Sequence, residues 1–240
     1  MKLSPQYKCL LASTSTLHNQ TYLAYLLPEL EVFFKEANHV LFIPYARPGG
    51  ISHDEYTAKA NAAFAKIEKT CVGLHTYKNP IEAIQNAEAI FTGGGNTFVL
   101  LNQLYQLNLV GVLQEELKKG KPYLGTSAGT NICGLSIKTT NDMPIVYPPS
   151  FDALGSIPFV INPHYLDPVV GSKHMGESRE TRIKEFKIHN TETVIGLREG
   201  SWLQVEKTSV ILKGKPSARL FYKNTIEEVA SGFDFKCINR

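Results

Sequence analysis

The sequence contains no apolar run long enough to cross a bilayer, no block of basic residues and no low-complexity tract. Its most apolar early stretch, residues 22–34, is interrupted by Pro28, Glu29 and Glu31, which excludes a span. Met1 to Tyr7 lacks the apolar centre of a secretory leader, so the expected location is cytoplasmic, away from any membrane. The formal net charge is only +3, and the basic residues are scattered. The densest cluster, Lys118, Lys119 and Lys121, closes a helical pattern, where cations suit the C-terminal dipole. A nucleic-acid partner would need a basic stripe, and none is present. The four cysteines, Cys9, Cys71, Cys133 and Cys237, include no pair close enough for a short metal motif. The first three lie in or beside apolar segments and read as buried thiols. No His, Cys or carboxylate spacing resembles a zinc site. Neither a metal nor a cofactor is expected.

The composition, 43% hydrophobic and 20% charged, is that of a chain that buries a core. Its 240 residues suit one α/β domain over residues 1–240. In the first half, short β-rich runs (9–13, 40–44, 71–74, 89–91 and 122–124) alternate with helical patterns at 23–37, 53–69, 96–107 and 110–119. The first of these helices is expected to break at Pro28, and Ser52 is positioned to cap the second. Strands separated by such helices imply crossover connections and a mostly parallel sheet flanked by helices on both faces. After a Pro-rich stretch come a short strand at 159–161 and a helical pattern at 178–189. Closely spaced C-terminal strands follow at 194–197, 202–205, 209–212 and 218–221. In such sheets ligands bind beyond the carboxyl ends of the strands. That rule says where to look.

Gly125-Thr126-Ser127-Ala128-Gly129 follows an apolar strand and precedes a helical pattern, the context of a nucleophile elbow. Such a turn strains its central residue and crowds the flanking backbones, which is why glycines sit two positions either side. A second cluster, Thr92-Gly93-Gly94-Gly95-Asn96, also joins a strand to a helix. It lacks the Walker lysine and the dinucleotide spacing. The N–H groups of Gly94 and Gly95, with that of Ala128, suit an oxyanion hole; Asn96 could equally cap the next helix. A serine needs a base, and downstream of Ser127 the histidines are His164, His174 and His189. His164 stands just past a strand, which favours it. For the orienting acid, Glu199 follows another strand, and Asp142 is its rival. The order Ser-His-acid differs from the Ser-acid-His order of α/β-hydrolases.

These segments resemble the peptidase E family, the α-aspartyl dipeptidases, which are related to cyanophycinases and built like class I glutamine amidotransferases. The resemblance is carried in order by FTGGGNTF at 91–98, LGTSAGTN at 124–131 and TTNDMPI at 139–145, then by INPHY at 161–165, GESRETRI at 176–183 and GLREGSWL at 196–203. It implies a serine peptidase acting on dipeptides with an N-terminal aspartate, without a metal, through Ser127, His164 and Glu199. Asp142 also matches the family pattern, so the acid stays open. Thr126 stands where the family often has a bulky aromatic. A pocket for an aspartate side chain needs a cation, and a planar arginine can hold a carboxylate twice. Arg179 is the first choice, with Arg47 and Arg198 next, and Asn96 could add a donor. Small peptides are thus the expected partners, and a homodimer is left open. The competing readings are a cyanophycinase-like hydrolase of β-aspartyl peptides and a catalytically silent binding domain. A glutamine amidotransferase would need a cysteine nucleophile, and Cys133 is six residues too late.

Overall fold

A computed structural model describes residues 5–168, 171, 173 and 175–236. His174 and Cys237 fall outside them. The first strand, β1 (Lys8–Ala12), sends Cys9 and Leu11 into one buried cluster and Leu10 and Ala12 into another. A strand buried on both faces must alternate in this way. A short 3₁₀ turn at Ala24–Leu26 leads into α1 (Leu27–Phe33). The helix expected over 23–37 is therefore shorter, and Pro28 lies in its first turn rather than breaking it. There the missing N–H has no intrahelical partner to lose.

Next come β2 (His39–Ile43), α2 (His53–Phe64) and β3 (Thr70–Gly73). As expected, Ser52 caps α2: its hydroxyl accepts the Glu55 N–H at 3.1 Å, and the Glu55 carboxylate accepts the Ser52 N–H at 2.7 Å. The Ser52 N–H and hydroxyl, both donating to that carboxylate, hold the Glu55 pKa below its ordinary value. Then follow α3 (Pro80–Asn86), β4 (Ala89–Thr92), α4 (Thr97–Gln106), α5 (Leu109–Lys118) and β5 (Tyr123–Thr126). Helix α3 leaves no periodic signal in the sequence, because seven residues hold too few turns to show a period.

The short α6 (Ala128–Asn131) precedes β6 (Val160–Pro163), α7 (Arg179–His189) and β7 (Val194–Leu197). The chain ends with β8 (Ser201–Glu206), β9 (Ser209–Gly214), β10 (Ala218–Tyr222) and β11 (Thr225–Val229). A seven-stranded sheet runs β3-β2-β4-β5-β1-β8-β9, and a four-stranded sheet runs β11-β10-β7-β6. The first five strands of the large sheet are parallel; β8 then adds antiparallel to β1, and β9 antiparallel to β8. Helices α1 and α2 cover one face, joined by Phe42, Phe91 and Leu124. Helices α3, α4 and α5 cover the other, where Ile161, Ile195, Leu197 and Leu220 of the small sheet enter the same apolar cluster as Leu11 and Tyr123. The C-terminal strands thus divide between two sheets that share one core.

Candidate active site

The carboxyl ends of β1, β4, β5, β6 and β7 meet at one rim, and five loops leave from it. Ser127 follows β5 directly, with φ 53° and ψ −111°. A non-glycine residue held there stores on the order of 1–3 kcal/mol. The surroundings hold it in place: the Ser127 N–H donates to the Ala12 carbonyl at 3.1 Å, and Thr130 Oγ1 donates to the same oxygen at 2.7 Å. The flanking glycines answer to sterics. A Cβ on Gly125 would stand 2.5 Å from the Gly129 carbonyl oxygen, and one on Gly129 would stand 2.2 Å from that of Thr92. No side chain fits either gap.

His164 follows β6, also at positive φ, 53°. Its Nε2 lies 2.8 Å from Ser127 Oγ and its Nδ1 lies 2.6 Å from Glu199 Oε1. His164 reaches the same rim as Ser127, although β6 lies in the small sheet and β5 in the large one. Ser13, just past β1, spans the two sheets: its hydroxyl donates to the Leu197 carbonyl at 2.7 Å and accepts the His164 N–H at 2.8 Å. Asn131 Nδ2 donates to the Ile161 carbonyl at 2.6 Å, and Asn162 Nδ2 donates to the Thr139 carbonyl at 2.6 Å. Asn141 Nδ2 donates to the Pro163 carbonyl at 2.7 Å. These amides, of which Asn131 and Asn162 are buried, fix the strand end that presents the imidazole. Sequence reasoning missed all four residues, although Ser13 met the strand-end rule and Asn162 sat inside the INPHY segment.

Asp142 does not touch the imidazole. Its Oδ2 accepts the Thr97 N–H at 2.7 Å and the Thr140 hydroxyl at 3.0 Å. Asn96 has both ends of its amide engaged: Oδ1 accepts the Val99 N–H at 3.1 Å, capping α4, and Nδ2 donates to the Met143 carbonyl at 2.9 Å. The capping alternative is the one realised there. Gly94 stands against the serine, since a Cβ on it would be 2.8 Å from Ser127 Cβ. Ala128 opens α6, so its N–H has no carbonyl one turn earlier.

A cleft of about 420 Å³ is walled by Ser127, His164, Glu199, Asp142, Arg179 and Leu166, among others. Arg179 is the first residue of α7 and half-buried. Burial and the Arg182 charge pull its pKa below the ordinary value, partly offset by the Asp142 carboxylate. Among the described residues it has no ion-pair partner, because Glu180 pairs with Lys184 and Arg219, and Glu177 with Arg182. Arg198 is consumed by Asp167 and Glu228. That pairing, with the Ser217 hydroxyl, holds the Glu228 pKa down to about 2. Arg47 donates from Nε to the Gly94 carbonyl at 3.2 Å. Cys133 is fully buried and its pKa is raised well above the ordinary value by desolvation, which leaves no thiolate. His189 is exposed at the end of α7. Among the described residues no three His, Cys or acidic side chains are grouped to hold a metal. No helix there is long and apolar enough to cross a membrane. A larger hollow of about 620 Å³ lies beside β2 and α3, walled by His39, Tyr77 and Glu82. Its walls carry no serine, threonine or cysteine, and the chemistry points to the smaller cleft.

The model of peptidase family S51 matches residues 9–213. The chain belongs to that family. Among curated proteins it is 46% identical to peptidase E of Streptomyces coelicolor over 226 residues, covering 94% of this chain and 92% of that one. It is 49% identical to a Drosophila melanogaster protein named "Probable alpha-aspartyl dipeptidase" over 215 residues, covering 88% of each. Among solved structures, a peptidase from an acI-B1 Actinobacterium superposes with a TM-score of 0.71 at 15% identity, covering 96% of this chain and 97% of that one. That likeness concerns the fold. The S51 match spans both the elbow and the His164 and Glu199 strand ends.

Proposed function

We propose that this member of family S51 hydrolyses dipeptides with an N-terminal aspartate, using Ser127 as nucleophile, His164 as general base and Glu199 as the orienting acid. The observation that carries the reading is the relay of 2.8 Å and 2.6 Å contacts from Ser127 through His164 to Glu199. The names borne by the relatives at 46% and 49% identity point to the same chemistry.

In this reading the neutral imidazole carries its proton on Nδ1, donates it toward Glu199, and accepts the Ser127 hydroxyl proton at Nε2. The serine oxygen then bonds to the scissile carbonyl carbon. The resulting oxyanion is met by backbone N–H groups of the Gly94-Gly95 loop and of Ala128. Collapse breaks the C–N bond, and the imidazolium hands its proton to the leaving amine. Water attacks the ester, giving its proton to His164, and the serine oxygen recovers a proton as aspartate leaves. Two charges on the substrate find opposites in the cleft. Arg179, desolvated and unpaired among the described residues, grips the aspartate side chain. Asp142, held by Thr97 and Thr140, faces the free ammonium.

Rates on Asp-Leu, Leu-Asp, Asn-Leu and a β-aspartyl dipeptide test this reading. Asp-Leu is expected to be far the best substrate, and faster hydrolysis of the β-aspartyl compound would overturn the proposal. Arg179→Met should lower kcat/KM for Asp-Leu by roughly 2–5 kcal/mol equivalent, as for a truncated buried charge pair. It should scarcely alter the slow Asn-Leu reaction, so the preference shrinks. A variant that keeps the full Asp-over-Asn preference removes Arg179 from the role.

The two acids should separate kinetically. Glu199→Gln loses the imidazolium's partner and the tautomer control, and should lower kcat by on the order of 10⁴-fold. Asp142→Asn, with no contact to the ring, should act mainly on KM. The reverse ranking of kcat losses would make Asp142 the orienting acid.

A further inference from the structure

The Gly94 carbonyl receives two donors from outside the cleft. Tyr56 Oη donates to it at 3.1 Å and Arg47 Nε at 3.2 Å. Tyr56 is 1% exposed on α2, and the Arg47 guanidinium lies 5.3 Å above its ring centroid. Tyr22 Oη lies 3.3 Å from Tyr56 Oη and donates to it; burial raises the Tyr22 pKa well above its ordinary value, which keeps that donor protonated. A chain of hydroxyls thus ends on one peptide oxygen, and successive bonds in such a chain polarise one another.

The carbonyl of residue 94 and the N–H of residue 95 belong to one planar trans peptide, in which they point in opposite directions. Anchoring the oxygen toward Tyr56 and Arg47 therefore aims the Gly95 N–H away from them. Gly94 itself abuts Ser127. Among the described residues no acceptor meets the Gly95 N–H. The rest of the loop is equally fixed. Gly95 sits at φ 146° with a Cβ position only 2.2 Å from the Ala46 carbonyl oxygen, which the Asn96 N–H also reaches at 2.7 Å. A cation on the oxygen of an amide also withdraws electron density through its resonance and strengthens the N–H as a donor.

We infer that Arg47 and Tyr56 are positioning residues for transition-state stabilisation: they orient and polarise the 94–95 peptide so that its N–H binds the oxyanion. The inference rests on the serine-peptidase reading above. A fixed dipole that needs no reorganisation is worth most where charge develops. Neither residue is then required to bind the ground-state substrate.

The experiment compares Tyr56→Phe, Arg47→Met and Arg47→Lys with the parent chain on Asp-Leu. It adds inhibition by free aspartate and by the α-aminoboronic acid analogue of aspartate, which forms a tetrahedral adduct on serine. Tyr56→Phe keeps the ring and Arg47 is exposed, so folding is checked by thermal denaturation and should hold. Each of Tyr56→Phe and Arg47→Met is expected to lower kcat about tenfold, less than the roughly 10²–10³-fold cost of deleting an oxyanion donor outright. KM and aspartate inhibition should stay within about twofold, and the boronic acid should weaken by the factor lost in kcat/KM. Arg47→Lys, which keeps the charge, should recover part of the loss. Unchanged kcat in both deletions, or a rise in KM and in the aspartate inhibition constant with kcat intact, overturns the inference; the second result makes Arg47 a substrate-binding cation. Ser127→Ala is the separate control: if it hydrolyses Asp-Leu like the parent, the underlying reading fails first.

Discussion

Ser127→Ala should leave a folded protein whose hydrolysis of Asp-Leu is lower by on the order of a millionfold, the usual cost of losing a triad serine. The size of the loss follows from what the hydroxyl does. In the proposed mechanism its oxygen is the atom that bonds to the substrate, and its proton is the one that His164 Nε2, 2.8 Å away, takes. Water directed by His164 and the backbone donors can replace only a small part of that advantage. The fold should not suffer. The backbone at φ 53° is held by main-chain and Thr130 bonds to the Ala12 carbonyl, none of which involves Oγ. Thermal denaturation within a few degrees of the parent and a flat progress curve with Asp-Leu are the expected pair of results. Activity within about tenfold of the parent would remove Ser127 from the mechanism.

The second large effect is His164→Ala, which should cost kcat nearly as much. In the proposed mechanism one imidazole serves two steps, taking the serine proton and then protonating the leaving amine, so its removal would stall both acyl transfer and departure. His189→Ala, at an exposed position on the end of α7, should retain parental rates. If His189→Ala is instead the inactive variant, the strand-end argument selected the wrong histidine.

The parallel strands were legible because their faces are both buried, which leaves short continuous apolar runs such as Cys9 to Ala12 and Ala89 to Phe91. The elbow was legible because sterics force its glycines: no Cβ fits opposite the Thr92 carbonyl. Short or marginal elements were not. α3 is too brief for a helical period, and β11 carries mostly exposed side chains, so neither leaves an apolar pattern. The assignment of strands to sheets was hidden for another reason. A strand's pattern records that its faces are buried, but not which neighbour buries them, and so β6 and β7 looked like β8 and β9.

By itself the sequence determined the elements that a buried face or a crowded turn imposes. It placed Ser127 after one strand, His164 after another and Glu199 after a third, with Arg179 at the start of a helix. The choice between Glu199 and Asp142 as partner of the ring was a tertiary decision. It depends on how the small sheet docks against the large one, and that docking is set by the core shared by Leu11, Ile161 and Leu197 and by the Ser13 bonds to Leu197 and His164. So does the lack of an ion-pair partner for Arg179 among the described residues, where Glu180 is taken up by Lys184 and Arg219 and Glu177 by Arg182. Local chemistry and periodicity act over a few residues and are written in order along the chain. Contacts between Ser13 and His164, or between Arg198 and Glu228, join residues far apart in sequence, and only packing selects which of the many possible partners meet.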